Sequence, residues 1–234
     1  MFNYSISKRL IEDYLHQPYS WFLNRNSADI GQTILAEVAT VVGSGIKPMI
    51  ELISKSIIAI AIIGLLIVID PKLSIIVFVL LSGSYGLIFY FIRTYLDVIG
   101  KKRLKSNELR FLAVSEAFGA SKEVKVAGLE QTYIDQFYKS AKIFAKTQAS
   151  ASVLTLLPRF FLEALIFGGM LLIVLFTMAQ TTTFINILPI ITLYAFAGYR
   201  LMPTIQQIYI SFSKLTFAIP AVDKLYSEIN NLKP

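Results

Sequence analysis

The chain has 234 residues, of which 55% are hydrophobic and only 16% are charged. Soluble domains usually carry about 25% charged residues, so the composition is that of a membrane protein. A net charge of +7 invites a nucleic-acid reading, but the basic residues sit beside apolar stretches, where positive charge reports membrane orientation, and no nucleic-acid partner is expected. Cysteine is absent, which excludes disulfides, thiol catalysis and cysteine-rich metal sites. The single histidine, His16, cannot build a metal centre alone. With no cluster of acid, base or nucleophile beside the apolar stretches, a soluble all-helical enzyme is set aside.

The N-terminal run "MFNYSISKRLIEDYLHQPYSW" carries charges early and no apolar segment followed by small residues, so it does not read as a signal peptide. Residues 1–46 are read as a cytoplasmic segment. A crossing helix needs about 20 mostly apolar residues. Residues 50–69, "IELISKSIIAIAIIGLLIVI", and 73–92, "LSIIVFVLLSGSYGLIFYFI", meet that length and are separated mainly by Asp70 and Pro71. Proline fixes its own φ and disfavours helix at the preceding residue, so a tight turn is expected there. From Ala164 to Tyr199 no residue is charged, which is too long for one span and right for two. The polar break Thr177 to Asn186 divides them into spans near 157–176 and 184–204, followed by a C-terminal cytoplasmic helix over about 205–234.

Twelve of the 22 lysines and arginines lie from Arg93 to Arg159, whereas the two short loops between spans hold none. The positive-inside tendency then places both termini and the central segment in the cytoplasm. The central stretch has no proline before Pro158. A helix from Leu73 to about Ser115 is therefore expected to be roughly 60 Å long at about 1.5 Å per residue, returning from about Glu130 to Pro158. Tyr133, Phe137, Ile143 and Phe144 recur at helical spacing between Lys139, Lys142 and Lys146, the pattern of an amphipathic rod. The distal tip of this hairpin, 93–156, is "SEAFGASKEVKVAGLE". Gly119 is expected to supply the sharp change of direction and Gly128 a second bend, with "ASKEVKV" between them as a short exposed helix. A solvated turn is the plainer alternative.

The wording of the tip carries a resemblance. "SEAFGASKEVKVAGLEQTYIDQF" resembles the second intracellular loop of the transmembrane domain of ATP-binding cassette exporters, in which a Glu, a Gly, a Val-Lys pair and a later Glu and Phe recur in this order. Here these are Glu116, Gly119, Val124 with Lys125, Glu130 and Phe137. "YLHQPYSWFLNRNSADIGQTILAEV" is similar to the first intracellular loop of the same family, through Pro18, Tyr19, Trp21 and Phe22. "FLNRNSADI" is particularly similar to half-transporters that flip lipid-linked oligosaccharides or export polysaccharide precursors.

The resemblance implies an all-α membrane protein of about four transmembrane helices with long cytoplasmic extensions, a partial exporter-type transmembrane domain. The family's domain has six spans, so the first and most of the second are expected before Met1. No "GxxxxGK[ST]" phosphate loop occurs, and "LSGSYG" at Leu81 is not the family's signature motif. ATP and Mg are therefore expected on a partner nucleotide-binding domain and no cofactor in this chain. A second transmembrane subunit, identical or different, and a lipid or lipid-linked glycan complete the expected partners. The expected setting is a multi-pass protein of the bacterial inner membrane.

In this reading two coupling helices touch the nucleotide-binding domains. One involves Pro18, Tyr19, Trp21, Phe22 and Arg25, and the other Glu116, Gly119, Lys122, Glu123 and Lys125. Rigid aromatics suit an interface centre, although Trp and Tyr also anchor at membrane surfaces. Candidate cargo contacts are the ionisable residues at membrane depth. Lys47, Glu51 and Lys55 follow i, i+4 steps on one face; Arg159 and Glu163 are similarly spaced and fit a local pair; Arg200 lies in the fourth span, where snorkelling is the alternative. A self-assembling four-span channel or scaffold is the competing function.

Overall fold

The structure, a computed structural model, describes residues 2–23, 25–69, 71–180 and 188–232. The turn residue Asp70 and residues 181–187 of the expected polar break lie outside this set. Among the described residues every regular element is helical. Helices α1 (Phe2–Leu15), α2 (Tyr19–Phe22) and α3 (Ser27–Gln32) lead into two π-helical stretches, Thr33–Glu37 and Val41–Ile46, separated by α4 (Val38–Thr40). Then come α5 (Lys47–Ile69), α6 (Pro71–Gly119), α7 (Ser121–Ala127), α8 (Glu130–Gln180) and α9 (Leu188–Asn230).

The chain divides into two compact units. The first comprises Met1–Pro48, Arg93–Ser152 and Lys214–Pro234, and the second Met49–Ile92 and Val153–Ser213. In the first, Leu10 and Tyr14 of α1 pack with Val38, Val41, Ala221 and Leu225. Burying a side chain of the Leu or Val class contributes about 1.5–3 kcal/mol. Backbone approach is closest at Gly100, where a Cβ would lie 2.7 Å from the carbonyl oxygen of Phe217. Only glycine lets α6 and α9 meet there.

In the second unit, Tyr85, Leu201 and Tyr209 form the core. Tyr209 stacks at 5.6 Å from Tyr85 and meets Phe89 edge-on at 6.4 Å. Ile50, Ile53, Ile57 and Ile60 of α5 are more than half exposed, an outward apolar stripe at helical spacing.

The long central helices match the expected hairpin arms but run further. α6 reaches Gly119 instead of ending near Ser115, and α8 continues beyond Pro158 to Gln180. Proline inside a helix frees the carbonyl four residues earlier. That carbonyl, on Leu154, instead accepts from the Tyr209 hydroxyl at 3.1 Å, so α8 need not break. By length and composition, one helical stretch among the described residues, Ser27–Val68, suffices to cross a membrane. It contains most of the first expected span; the other three rest on the sequence pattern.

Candidate functional site

The tip is built by α7. Its N-terminus follows Ala120, at φ −109° and ψ 37°, and its acidic and basic residues, Glu123 in the first turn and Lys125 in the last, suit the helix dipole. Gly128 closes the helix in the left-handed region at φ 65°, while the Leu129 amide donates to the Val124 carbonyl at 3.0 Å, the wrap-back that ends helices at a left-handed glycine. Here the sequence expectation needs correction. Gly119 is the last residue of α6 and has no positive φ, so Gly128 supplies the glycine-specific conformation and Ala120 the change of direction.

α7 buries one residue, Val124. Val126 is 83% exposed and the neighbouring Phe118 78% exposed. Glu116, Lys122, Glu123 and Lys125 all face solvent. Lys125 donates to Glu130 at 2.9 Å; that hydrogen bond, helped by backbone donation and the ammonium charge, lowers the Glu130 carboxyl below its ordinary pKa. Beneath α7 lies an apolar cleft of about 480 Å³ between the ends of α6 and α8, floored by Ala113, Val124 and Phe137.

The first loop is organised around Trp21 and Arg25. Pro18 is extended at φ −63° and ψ 151° and leads into α2. Trp21 turns toward the chain's own core, 5.3 Å from the buried Tyr14, with Phe22 edge-on at 5.0 Å. Arg25 stacks over Trp21 at 4.4 Å and pairs with Glu228 of α9. Tyr14 donates weakly to the same carboxylate at 3.4 Å; burial first, and Glu228 second, push its phenol above the ordinary tyrosine range. Tyr19, 77% exposed, is the outward aromatic of this loop.

Of the residues expected near cargo, Arg159 and Glu163 do pair, at 2.9 Å. In the expected stripe, Lys47 is exposed, Lys55 is half-buried, and Glu51 accepts from Gln207 at 2.8 Å. Arg200 is exposed, and its carbonyl accepts from Thr204 at 3.0 Å. No ion pair joins Arg200 to another described residue.

A buried polar cluster in the first unit escaped the sequence reading. Glu37 is fully buried and pairs with Arg103, itself 3% exposed. The other carboxylate oxygen accepts from Gln32 at 2.9 Å and from Asn107 at 2.8 Å. Arg103 also donates to Thr40 at 3.0 Å. Asn107 accepts from Arg110 at 2.7 Å, and Arg110 stacks over Phe144 of α8 at 4.1 Å. Burial, then the neighbouring Arg103 charge, lowers Arg110 from the usual guanidinium range, with Glu37 opposing. On the far side, Lys224 of α9 donates to Gln32 at 3.1 Å and pairs with Asp29.

Together these features define a class: an all-helical domain with a long hairpin, an exposed short helix at its tip, and an uncharged apolar sequence in its second unit. Residues 2–180 match the ABC transporter transmembrane region, and the chain belongs to that family. It is accordingly a membrane protein of ATP-binding cassette transport, a class that works with nucleotide-binding partners and as dimers.

Proposed function

We propose that the chain is the membrane-spanning part of an ATP-driven exporter or flippase for a lipid-linked oligosaccharide, a lipid or a polysaccharide precursor. Four spans, near 50–69, 73–92, 157–176 and 184–204, cross the bacterial inner membrane, with both termini and the hairpin 93–156 cytoplasmic. ATP and Mg bind the partner domain. The observation that carries the reading is the poor burial of α7: a seven-residue helix with Val124 alone buried and Val126 outward has little reason to be held at the end of long helices except to meet a partner. Glu116, Lys122, Glu123 and Lys125 form the polar rim of that contact, and Tyr19 its counterpart in the first loop. Trp21, Phe22 and Arg25 brace that loop from within.

Arg200, exposed and without an ion pair to a described residue, is the proposed ligand for cargo phosphates, which a guanidinium binds through two parallel hydrogen bonds. The competing channel or scaffold reading gains no support from the family match. The test is ATP-dependent translocation of a polyprenyl-diphosphate-linked oligosaccharide by the assembled transporter in liposomes. Translocation that Arg200→Ala abolishes supports the proposal; unchanged transport removes Arg200 from it, and passive, ATP-independent flux favours the channel.

A further inference from the structure

The cluster around Glu37 contributes to neither the proposed tip contact nor the cargo contacts, yet it is the most deeply buried group of charges among the described residues, with side-chain exposures of 4% for Arg103 and 0% for Glu37. Removing two charges from water is costly, and well-packed apolar residues of similar volume are often equally or more stabilising. Net stability is therefore a poor reason for it. The arrangement is not even fully satisfied, since the buried Nε of Arg103 has no hydrogen-bond partner.

The best-attested use of buried polar groups is to fix register. Glu37 grips α6 at two points one turn apart, Arg103 and Asn107. Close above them, Gly100 lies against the Phe217 carbonyl, and the Phe217 ring faces Arg103 at 5.9 Å. The Arg110 contact with Phe144 extends the set to α8. Apolar packing tolerates repacking and loses uniqueness before it loses stability, whereas a carboxylate bonded to both a guanidinium and an amide favours one arrangement.

We infer that Glu37 and Arg103, with Gln32 and Asn107, are positioning residues for coupling: they lock the rotation and axial register of the α6 arm, so that displacement of α7 is transmitted instead of being lost as slippage. This rests on α7 being the docking tip.

The experiment uses the assembled transporter rendered cysteine-free, a condition this chain already meets. Val68→Cys, at a site 86% exposed, reports ATP-dependent change through its maleimide-labelling rate. The clasp is replaced by apolar residues with Gln32→Met, Glu37→Met, Arg103→Met and Asn107→Leu together. The expected result is a melting temperature at or above the parent's, with the ATP-dependent change in labelling reduced about fivefold or more. Should the fourfold variant fail to assemble, Arg103→Lys keeps the charge but loses the fork, and the expected result is partial loss of the response. A parent-like response in whichever variant assembles overturns the inference. Val126→Asp at the tip separates the two readings. If it too leaves the response intact, the docking reading fails; if it abolishes the response while the clasp variants do not, the clasp inference alone fails.

Discussion

The hydroxyl of Tyr209 donates to the carbonyl of Leu154 at 3.1 Å, the carbonyl that Pro158 deprives of its helical partner. Tyr209 is 4% exposed, so no water competes for the bond. Burial makes such a repair necessary, because a buried carbonyl left without a hydrogen-bond partner is costly.

Tyr209→Phe is accordingly expected to destabilise the protein by about 1–3 kcal/mol, the cost of a buried carbonyl left unpaired. Pro158→Ala restores the missing amide at position 158. In that background the same Tyr209→Phe change is expected to cost little, a coupling that a double-mutant cycle reads from unfolding in detergent. Equal costs in both backgrounds would show that the hydroxyl matters for another reason.

Three glycines are expected to respond differently to alanine. At Gly100 the new Cβ would lie 2.7 Å from a backbone oxygen, which cannot swing away as a side chain does. Forced separation of α6 and α9 is expected to cost about 1–3 kcal/mol. Gly128→Ala is expected to cost about 1–2 kcal/mol, because its φ of 65° is left-handed. Gly119→Ala meets no atom within 4 Å and is expected to be neutral or mildly stabilising. Thermal unfolding of the three variants checks the order.

The Lys125–Glu130 pair gives a pH prediction. Its carboxyl pKa is depressed, first by the Lys125 hydrogen bond. A depressed carboxyl stabilises the folded tip above the unfolded-state pKa and loses that contribution as pH falls through the folded value. With both side chains well exposed, at 76% and 39%, the effect on global stability is expected to be negligible. Lys125→Gln is expected to raise the Glu130 pKa toward the ordinary carboxylate value without moving the melting temperature. Carboxyl ¹³C shifts followed through an acid titration check this; an unmoved pKa would contradict the pairing.

Much of the fold was legible because long helices announce themselves. The absence of proline through the arms and the apolar spacing marked α6 and the start of α8, and the glycines bracketed α7. The pair Arg159 and Glu163 was legible because i, i+4 neighbours meet on any α-helix. Gln32 and Glu37 were not, because they are five residues apart and bond at 2.9 Å only where the chain adopts the π-helical i→i+5 turn. Nothing in local composition signals that turn. Arg103 looked like one more cytoplasmic charge, and its partner lies 66 positions away. Trp21 and Arg25 have the chemistry of docking residues; that Trp21 packs on Tyr14 and Arg25 pairs with Glu228, far away in sequence, is not written in the local pattern.

Coupling through the tip requires that α7 meet an ATPase domain. Val126→Cys, placed at the exposed tip of a cysteine-free transporter and labelled with a maleimide–benzophenone reagent, should photo-cross-link to the nucleotide-binding partner, in a yield that ATP changes. Ile60→Cys, at an exposed position of the apolar α5 stripe, should give no such product. An absent Val126→Cys adduct, in a transporter that assembles and hydrolyses ATP like the parent, would contradict the claim that the tip is the point of coupling.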